Sequence, residues 1–171
     1  VKSENDEIAS TEKIREKLAE QEISSEKSLL EATRLFLREY GIRKSAAAIR
    51  DAVEVPHEKF KPQNAVSALS TLGFKASFGN IRLGKITRDF LPLIAFMNDG
   101  SAVVIKNLAD NNEVSFQSGK KNSPLTTETK ENFDKKFSGF VILAKELNNR
   151  EKEDRSGHWF FSSFRKSKWL Y

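Results

Sequence analysis

The apolar residues of this chain change their period once, at Gly73, and that change restricts the fold more than any other feature. Before Gly73 they recur at helical spacing, most clearly in the amphipathic segment Lys27–Gly41. After it, apolar and polar residues alternate in Phe74–Phe78, as is typical of a strand. Helices followed by strands predict an α+β fold rather than alternating α/β units.

Cap and turn residues divide both halves into short elements. Ser45 is a candidate N-cap for a second helix, and Pro62 opens a third helix that Gly73 closes. Asn98–Gly100 is a hairpin turn signal, because Asn, Asp and Gly tolerate positive φ. The second half predicts strands at 74–78, 91–97, 101–108 and 113–117, a short helix at 126–137 and a strand at 139–145.

Composition excludes several kinds of site. The 171 residues include no cysteine, which excludes disulfides, thiolate metal ligands and a cysteine nucleophile. The two histidines, His57 and His158, are too scattered to predict a metal site. The net charge of +5 permits an anionic partner, but the basic residues are dispersed and form no nucleic-acid motif, so no nucleic-acid partner is expected.

Charge and aromatic content predict four regions. Residues 1–25 form a flexible or helical extension, 26–146 the folded domain, 147–157 a polar linker and 158–171 a segment rich in aromatic and basic residues. Such a segment suits a membrane interface and would lead to a transmembrane domain outside this chain, although a helix docked on the domain is the alternative. Its predicted interface residues are Trp159, Phe160, Phe161, Phe164, Arg165, Lys166, Lys168 and Trp169.

Three segments together carry a family resemblance: "LLEATRLFLREYG", "LPLIAFMNDGSAVVI" and "GFVILAK". Their order and spacing resemble the N-terminal domain of type I secretion ABC transporters of the haemolysin-exporter kind, over residues 24–146. Those domains are similar to the bacteriocin-processing cysteine peptidases, which cut double-glycine leaders. The resemblance implies a papain-like fold, with N-terminal helices packed on an antiparallel sheet.

The resemblance also assigns the positions of the peptidase site. The catalytic cysteine falls at Ser28, the histidine at Ala102, the aspartate at Gln117 and the oxyanion glutamine at Glu22. Because none of these pairs a thiolate with an imidazole, the expectation is a domain that is not an enzyme and has lost its triad positions. A residual serine-type hydrolase using Ser28 is an alternative.

The expected function follows from the same resemblance. The domain would bind an unfolded RTX-type secretion substrate at the cytoplasmic face of the bacterial inner membrane, as part of an integral membrane transporter. Phe96, Phe78, Phe74 and Phe90 are the candidate substrate contacts, with a core role as the alternative for each. A scaffold domain that binds no substrate is the alternative function.

Further partners would act through the full transporter, namely a membrane fusion protein and an outer-membrane channel. The domain itself is expected to hold no metal or other cofactor. The chain has no Gly-rich phosphate loop, so ATP and Mg²⁺ are expected only in a nucleotide-binding domain outside this chain.

Overall fold

A computed structural model describes residues 2–53, 60–147 and 165–166. The helices are α1 (Lys2–Glu39), α2 (Ala46–Asp51), α3 (Pro62–Thr71) and α4 (Lys130–Lys136). The strands are β1 (Phe74–Asn80), β2 (Leu93–Met97), β3 (Ala102–Ala109), β4 (Glu113–Ser118), β5 (Leu125–Thr129), β6 (Phe137–Glu146) and β7 (Arg165–Lys166). Two 3₁₀ turns, Leu83–Lys85 and Arg88–Phe90, connect β1 to β2.

Helix α1 has an exposed half and a buried half. No Gly or Pro interrupts it between Lys2 and Glu39, so the charged segment 11–22 and the core segment join into one helix. Residues 4–24 are exposed, whereas the side chains from Ser28 to Leu37 are mostly buried. Gly41 ends the helix as predicted, with φ of +76° and its N–H donating to the carbonyl of Arg38 at 3.0 Å.

All seven strands form one antiparallel sheet in the order β5-β4-β3-β2-β6-β1-β7. The last long strand, β6, lies between β2 and β1 rather than at an edge. The predicted fold class, helices packed on an antiparallel sheet, is confirmed.

Both faces of the sheet are covered. Ile142 and Ala144 of β6 pack in one cluster with α1 and α3, while Val141 and Leu143 pack in a second cluster with Phe133 of α4. A strand buried on both faces needs apolar residues at every position, which explains the continuous apolar run in β6. In the part of the chain that the structure describes, no helix has the length and apolar character that crossing a membrane requires.

The predicted helix at 126–137 is only partly correct. Its first residues form strand β5, in which the Thr127 hydroxyl lies 3.1 Å from that of Ser115 on β4. β-Branched threonines pack well on a neighbouring strand, so strand pairing prevails over the helix there. The helix starts after Thr129, whose hydroxyl accepts a hydrogen bond from the Asn132 N–H at 3.3 Å.

Candidate functional site

Two of the positions assigned by the resemblance, Ser28 and Ala102, are in direct contact. Ser28 lies where α1 enters the core, and its side chain is only 5% exposed. Its hydroxyl oxygen accepts a hydrogen bond from the backbone N–H of Ala102 at 2.9 Å and lies 3.2 Å from the Ala102 carbonyl, to which it can donate. The hydroxyl therefore connects α1 to the first residue of β3.

The other two assigned positions lie nearby in the fold. Gln117 is on β4 opposite Val104 of β3, and its side-chain amide donates to the backbone carbonyl of Ser123 at 2.8 Å. Glu22 precedes Ser28 on α1 and lines a cleft. The structure thus places Gln117 one strand away from Ala102, and Glu22 on the helix that carries Ser28.

This cleft, which we call the helix–turn cleft, has a volume of about 540 Å³. One wall is the part of α1 between Leu18 and Leu29, and a second is the segment Phe60–Pro62. The third is the β2–β3 turn, through Phe96 and Asn98–Gly100. A Cβ atom on Gly100 would lie 2.6 Å from the Ser25 hydroxyl oxygen, so glycine permits the turn to approach α1 this closely.

The helix–turn cleft has charged groups at its lining. Among the residues that the structure describes, they are the carboxyl groups of Glu22, Glu26 and Asp99 and the ammonium group of Lys61. The hydroxyl and the backbone N–H of Ser101 both donate to one oxygen of Asp99, at 2.6 and 2.9 Å. These bonds lower the pKa of the Asp99 carboxyl, because they favour its charged form.

The four candidate phenylalanines have different environments. Phe96 is half-buried and lines the helix–turn cleft, and Phe78 packs edge-on against it with ring centroids 5.4 Å apart. Phe74 is a core residue, 1% exposed, in contact with the ring of Tyr40. Phe90, 3% exposed, belongs to the core cluster on the other face of the sheet. Phe74 and Phe90 therefore belong to the core and do not line the helix–turn cleft.

Several predicted positions lie outside the described residues. They are His57, His158, Trp159, Phe160, Phe161, Phe164, Lys168 and Trp169. Arg165 and Lys166 form β7, which pairs with Asn80 and Gly79 of β1. Within residues 2–53, 60–147 and 165–166, no group of three or more His, Cys, Asp or Glu side chains could hold a metal ion.

Residues 15–149, most of the chain, match the family described as the peptidase C39 family. The chain belongs to the peptidase C39 family. No curated protein sequence matches the chain closely enough to extend this comparison.

Solved structures of peptidase domains share the fold of this C39 domain. The N-terminal peptidase C39 like domain of the toxin secretion ATP-binding protein from Vibrio parahaemolyticus has a TM-score of 0.60 and 21% identity, over 70% of this chain and 96% of that one. A double glycine motif protease from an AMS/PCAT transporter, in complex with the leader peptide, has a TM-score of 0.59 and 18% identity, over 70% and 84%. The peptidase domain of Streptococcus ComA, a bi-functional ABC transporter, has a TM-score of 0.57 and 17% identity, over 71% and 92%.

The expectation that this domain is not an enzyme is contradicted by the comparisons. Its family is a family of peptidases, and one structural relative is described as a protease. The expectation rested on the absence of cysteine and on the residues at the assigned positions Ser28, Ala102 and Gln117. Catalytic groups are recognised by their geometry and roles in space, so positions assigned along the sequence do not by themselves exclude an active site.

Sequence reasoning also missed most of the helix–turn cleft. Asn98–Gly100 was recognised as a hairpin turn but not as a cleft wall, and neither Phe60 nor Lys61 was considered. One local signal for this wall of the cleft is Asp99. An Asp side chain in a turn often accepts a hydrogen bond from the backbone N–H two residues later, and Asp99 accepts one from Ser101.

Proposed function

We propose that this C39 domain is part of an ABC transporter and binds an extended segment of the polypeptide that the transporter exports. The observation that carries the proposal is the helix–turn cleft, which lies between α1 and the β2–β3 turn and is lined by Phe96. A structural relative in complex with a leader peptide supports peptide binding by this fold.

The lining of the helix–turn cleft suits a peptide. Leu18 and the half-buried Phe96 offer apolar surface for side chains, whereas the other two apolar lining residues, Leu29 and Phe60, are almost fully buried. The side-chain oxygen of Asn98 offers an acceptor for a peptide N–H, while the NH2 of the same side chain donates to the Lys135 carbonyl at 3.2 Å. A volume of about 540 Å³ lies within the usual range for ligand sites. An extended chain would gain affinity from burial of its apolar side chains and specificity from the polar rim.

Membership of an ABC transporter also suggests the exported polypeptide, the location and the partners of this domain. The exported polypeptide would be an unfolded RTX-type protein, bound at the cytoplasmic face of the bacterial inner membrane. A membrane fusion protein and an outer-membrane channel would complete the export path. ATP and Mg²⁺ would be used by a nucleotide-binding domain of the same transporter.

An NMR titration tests the proposal. We expect a calcium-free, unfolded RTX-type C-terminal fragment to shift the amide signals of Glu26, Phe96 and Asn98–Gly100, and the calcium-folded fragment to leave them in place.

Leu18→Ser should weaken binding without unfolding the domain, because Leu18 is 55% exposed on α1. Ile8→Ser is the matched control, since Ile8 is 58% exposed on the same helix but outside the cleft. Equal weakening by both variants, or shifts away from the cleft, would contradict the proposal.

The exposed half of α1 favours a second candidate, a scaffold that contacts another part of the transporter. Ile8, Ile14, Leu18 and Ile23 are all more than half exposed. Exposed apolar residues along a projecting helix are typical of a contact surface. A photo-crosslinker at position 14 of the full transporter should then capture another region of that transporter, and capture of exported polypeptide alone would count against the scaffold.

A further inference from the structure

We infer that a basic strip beside the helix–turn cleft binds an acidic stretch of the exported polypeptide, next to the segment that occupies the cleft. The basic strip consists of Lys27, Arg34 and Arg38 on α1 and of Lys120 and Lys121 after β4. This inference rests on the proposed function and extends it from the cleft to a neighbouring surface.

The three residues of the basic strip on α1 share one side of the helix. Arg34 follows Lys27 after seven residues, and Arg38 follows Arg34 after four, which are the intervals that bring helical side chains into line. Lys27 and Arg38 are exposed, and Arg34 is half-buried. At about 1.5 Å per residue, this part of the strip runs along α1 for about 16 Å.

Packing of the β4–β5 loop against α1 brings the other two lysines to the strip. A Cβ atom on Gly119 would overlap the backbone carbonyl of Ser28, so the loop begins in direct contact with the helix. The Ser123 N–H then donates to the Lys120 carbonyl at 3.2 Å, which closes the loop into a turn. Lys120 and Lys121 lie between these two fixed points, and both are exposed.

The carboxyl group of Glu31 lies within the basic strip and responds to its charge. A hydrogen bond from the Arg34 guanidinium is the main cause of the lowered pKa of Glu31, and it outweighs the opposite effect of burial. The charges of Lys121 and Arg38 lower this pKa further. Residues from α1 and from the β4–β5 loop therefore act on one carboxyl group, as expected for a continuous surface.

Most of the positive charge in the basic strip is available to a partner. Arg34 forms an ion pair with Glu31. Within the described part of the chain, no ion pair involves the other four cations, which are Lys27, Arg38, Lys120 and Lys121. Such a local excess of one sign attracts an anionic partner and repels a cationic one.

The position of the basic strip favours a polypeptide as that partner. Ser25 and Glu26 line the helix–turn cleft, and Lys27 follows them on α1. The charge of Lys120 acts on Asp99, another lining residue of the cleft. The strip therefore begins where the cleft ends. An extended chain advances about 3.3 Å per residue, so about five residues beyond the cleft would span the strip.

Fluorescence anisotropy with the whole 171-residue chain tests the inference. The probes are labelled peptides of sequence X-X-X-X-X-Gly-Leu-Gly-Phe-Gly-X-X-X-X-X, in which X is Asp in one peptide and Asn in the other. Charged residues at both ends make the result independent of the direction in which the peptide lies. At low salt the Asp peptide should bind about three- to tenfold more tightly than the Asn peptide. The preference should shrink at about 0.3 M salt, because screening weakens charge pairs.

A double variant and a matched control locate the preference. Lys120→Gln with Lys121→Gln should bring the Asp and Asn peptides to within about twofold of each other. Lys85→Gln with Lys135→Gln removes the same charge from two exposed residues near the core cluster on the other face of the sheet, so it should keep the preference. Equal loss in both double variants would overturn the inference, because the net charge of the chain would then be the cause.

Vesicles of phosphatidylcholine and anionic phosphatidylglycerol test a membrane surface as the rival partner. The strip would be a lipid contact, and the inference would be overturned, if Lys120→Gln with Lys121→Gln abolished vesicle binding while the Asp and Asn peptides bound equally. Equal peptide affinity with NMR shifts still in the cleft would also overturn the inference, but it would leave polypeptide binding intact. Failure of both peptides to bind would overturn the proposed function as well.

Discussion

The hydroxyl oxygen of Ser28 lies 2.9 Å from the backbone nitrogen of Ala102 and accepts its hydrogen bond, across 74 residues of sequence. The carbonyl of Ala102 in turn accepts the N–H of Gly119 at 2.9 Å, just after β4 ends. Three segments therefore meet at Ala102. This contact fixes the position of α1 relative to β3, next to the turn that forms one wall of the helix–turn cleft.

Ser28→Ala should destabilise the domain by about 1–3 kcal/mol, because it leaves the buried N–H of Ala102 without its acceptor. Urea unfolding followed by circular dichroism measures the change. Ser70→Ala is a suitable control, since the Ser70 hydroxyl bonds the Val66 carbonyl on an exposed part of α3 and its loss should change stability by no more than about 0.5 kcal/mol. Equal stability of Ser28→Ala and the wild type would show that this contact does not hold α1 in place.

Gly119→Ala should lower the free energy of unfolding by at least about 2 kcal/mol. The cause would be steric overlap of the added Cβ atom with backbone atoms, not the loss of a hydrogen bond. A Cβ atom at this position would overlap the backbone carbonyl of Ser28 and lie 2.8 Å from the carbonyl oxygen of Ala102. Backbone atoms cannot move aside without shifting α1 or β3. Gly84→Ala serves as the comparison in the same unfolding assay, because no atom lies within 4 Å of its added Cβ. A change at Gly119 no larger than that at Gly84 would refute the steric argument.

Local patterns predicted the elements well. The helix end at Gly41, the Ser45 cap and the Asn98–Gly100 turn depend on neighbouring residues, and the structure has all three. The Ser45 hydroxyl, for example, accepts a hydrogen bond from the Ala48 N–H at 3.1 Å. By contrast, β5 depends on its pairing with β4, so the local pattern from Thr126 onward indicated a helix instead.

The site was less predictable because its walls come from distant parts of the sequence. Phe60, Glu26 and Asp99 meet only in the folded chain, and no spacing rule connects them. The aromatic residues illustrate the same limit, since Phe74 and Phe96 look alike in the sequence but one is core and the other lines the cleft. Burial depends on what covers a residue, and that is decided by tertiary packing.

Ser101→Ala should raise the pKa of the Asp99 carboxyl toward its ordinary value. The hydrogen bond from the Ser101 hydroxyl is the main cause of the lowered pKa. The hydrogen bond from the Ser101 N–H would remain in the variant and would still lower the pKa, but by less. A ¹³C NMR titration of the carboxyl measures the shift, with Ser115→Ala as the control because Ser115 bonds Thr127 on a different part of the sheet. An unchanged pKa in Ser101→Ala would show that the hydroxyl does not favour the charged form.

The same lowered pKa predicts how stability depends on pH. Because the native carboxyl of Asp99 binds its proton less readily than the unfolded one, its charged form stabilises the fold above the ordinary pKa near 3.8. That contribution should disappear as the pH falls through the lowered native pKa. The difference in unfolding free energy between wild type and Asp99→Asn should thus be largest near neutral pH and smallest in strong acid. If this difference in unfolding free energy instead grew as the pH fell, the lowered pKa of Asp99 in the native state would be contradicted.

Deletion of residues 1–17 should leave the melting temperature within about 2 °C of that of the full chain. Between residues 4 and 17 every side chain is exposed, so loss of these residues removes no buried apolar surface, and Leu18 remains to line the helix–turn cleft. The helical signal in circular dichroism should fall, because the deletion removes residues of α1. A drop in melting temperature of more than about 5 °C would mean that the projecting part of α1 stabilises the domain, and it would favour the scaffold contact over a free helix.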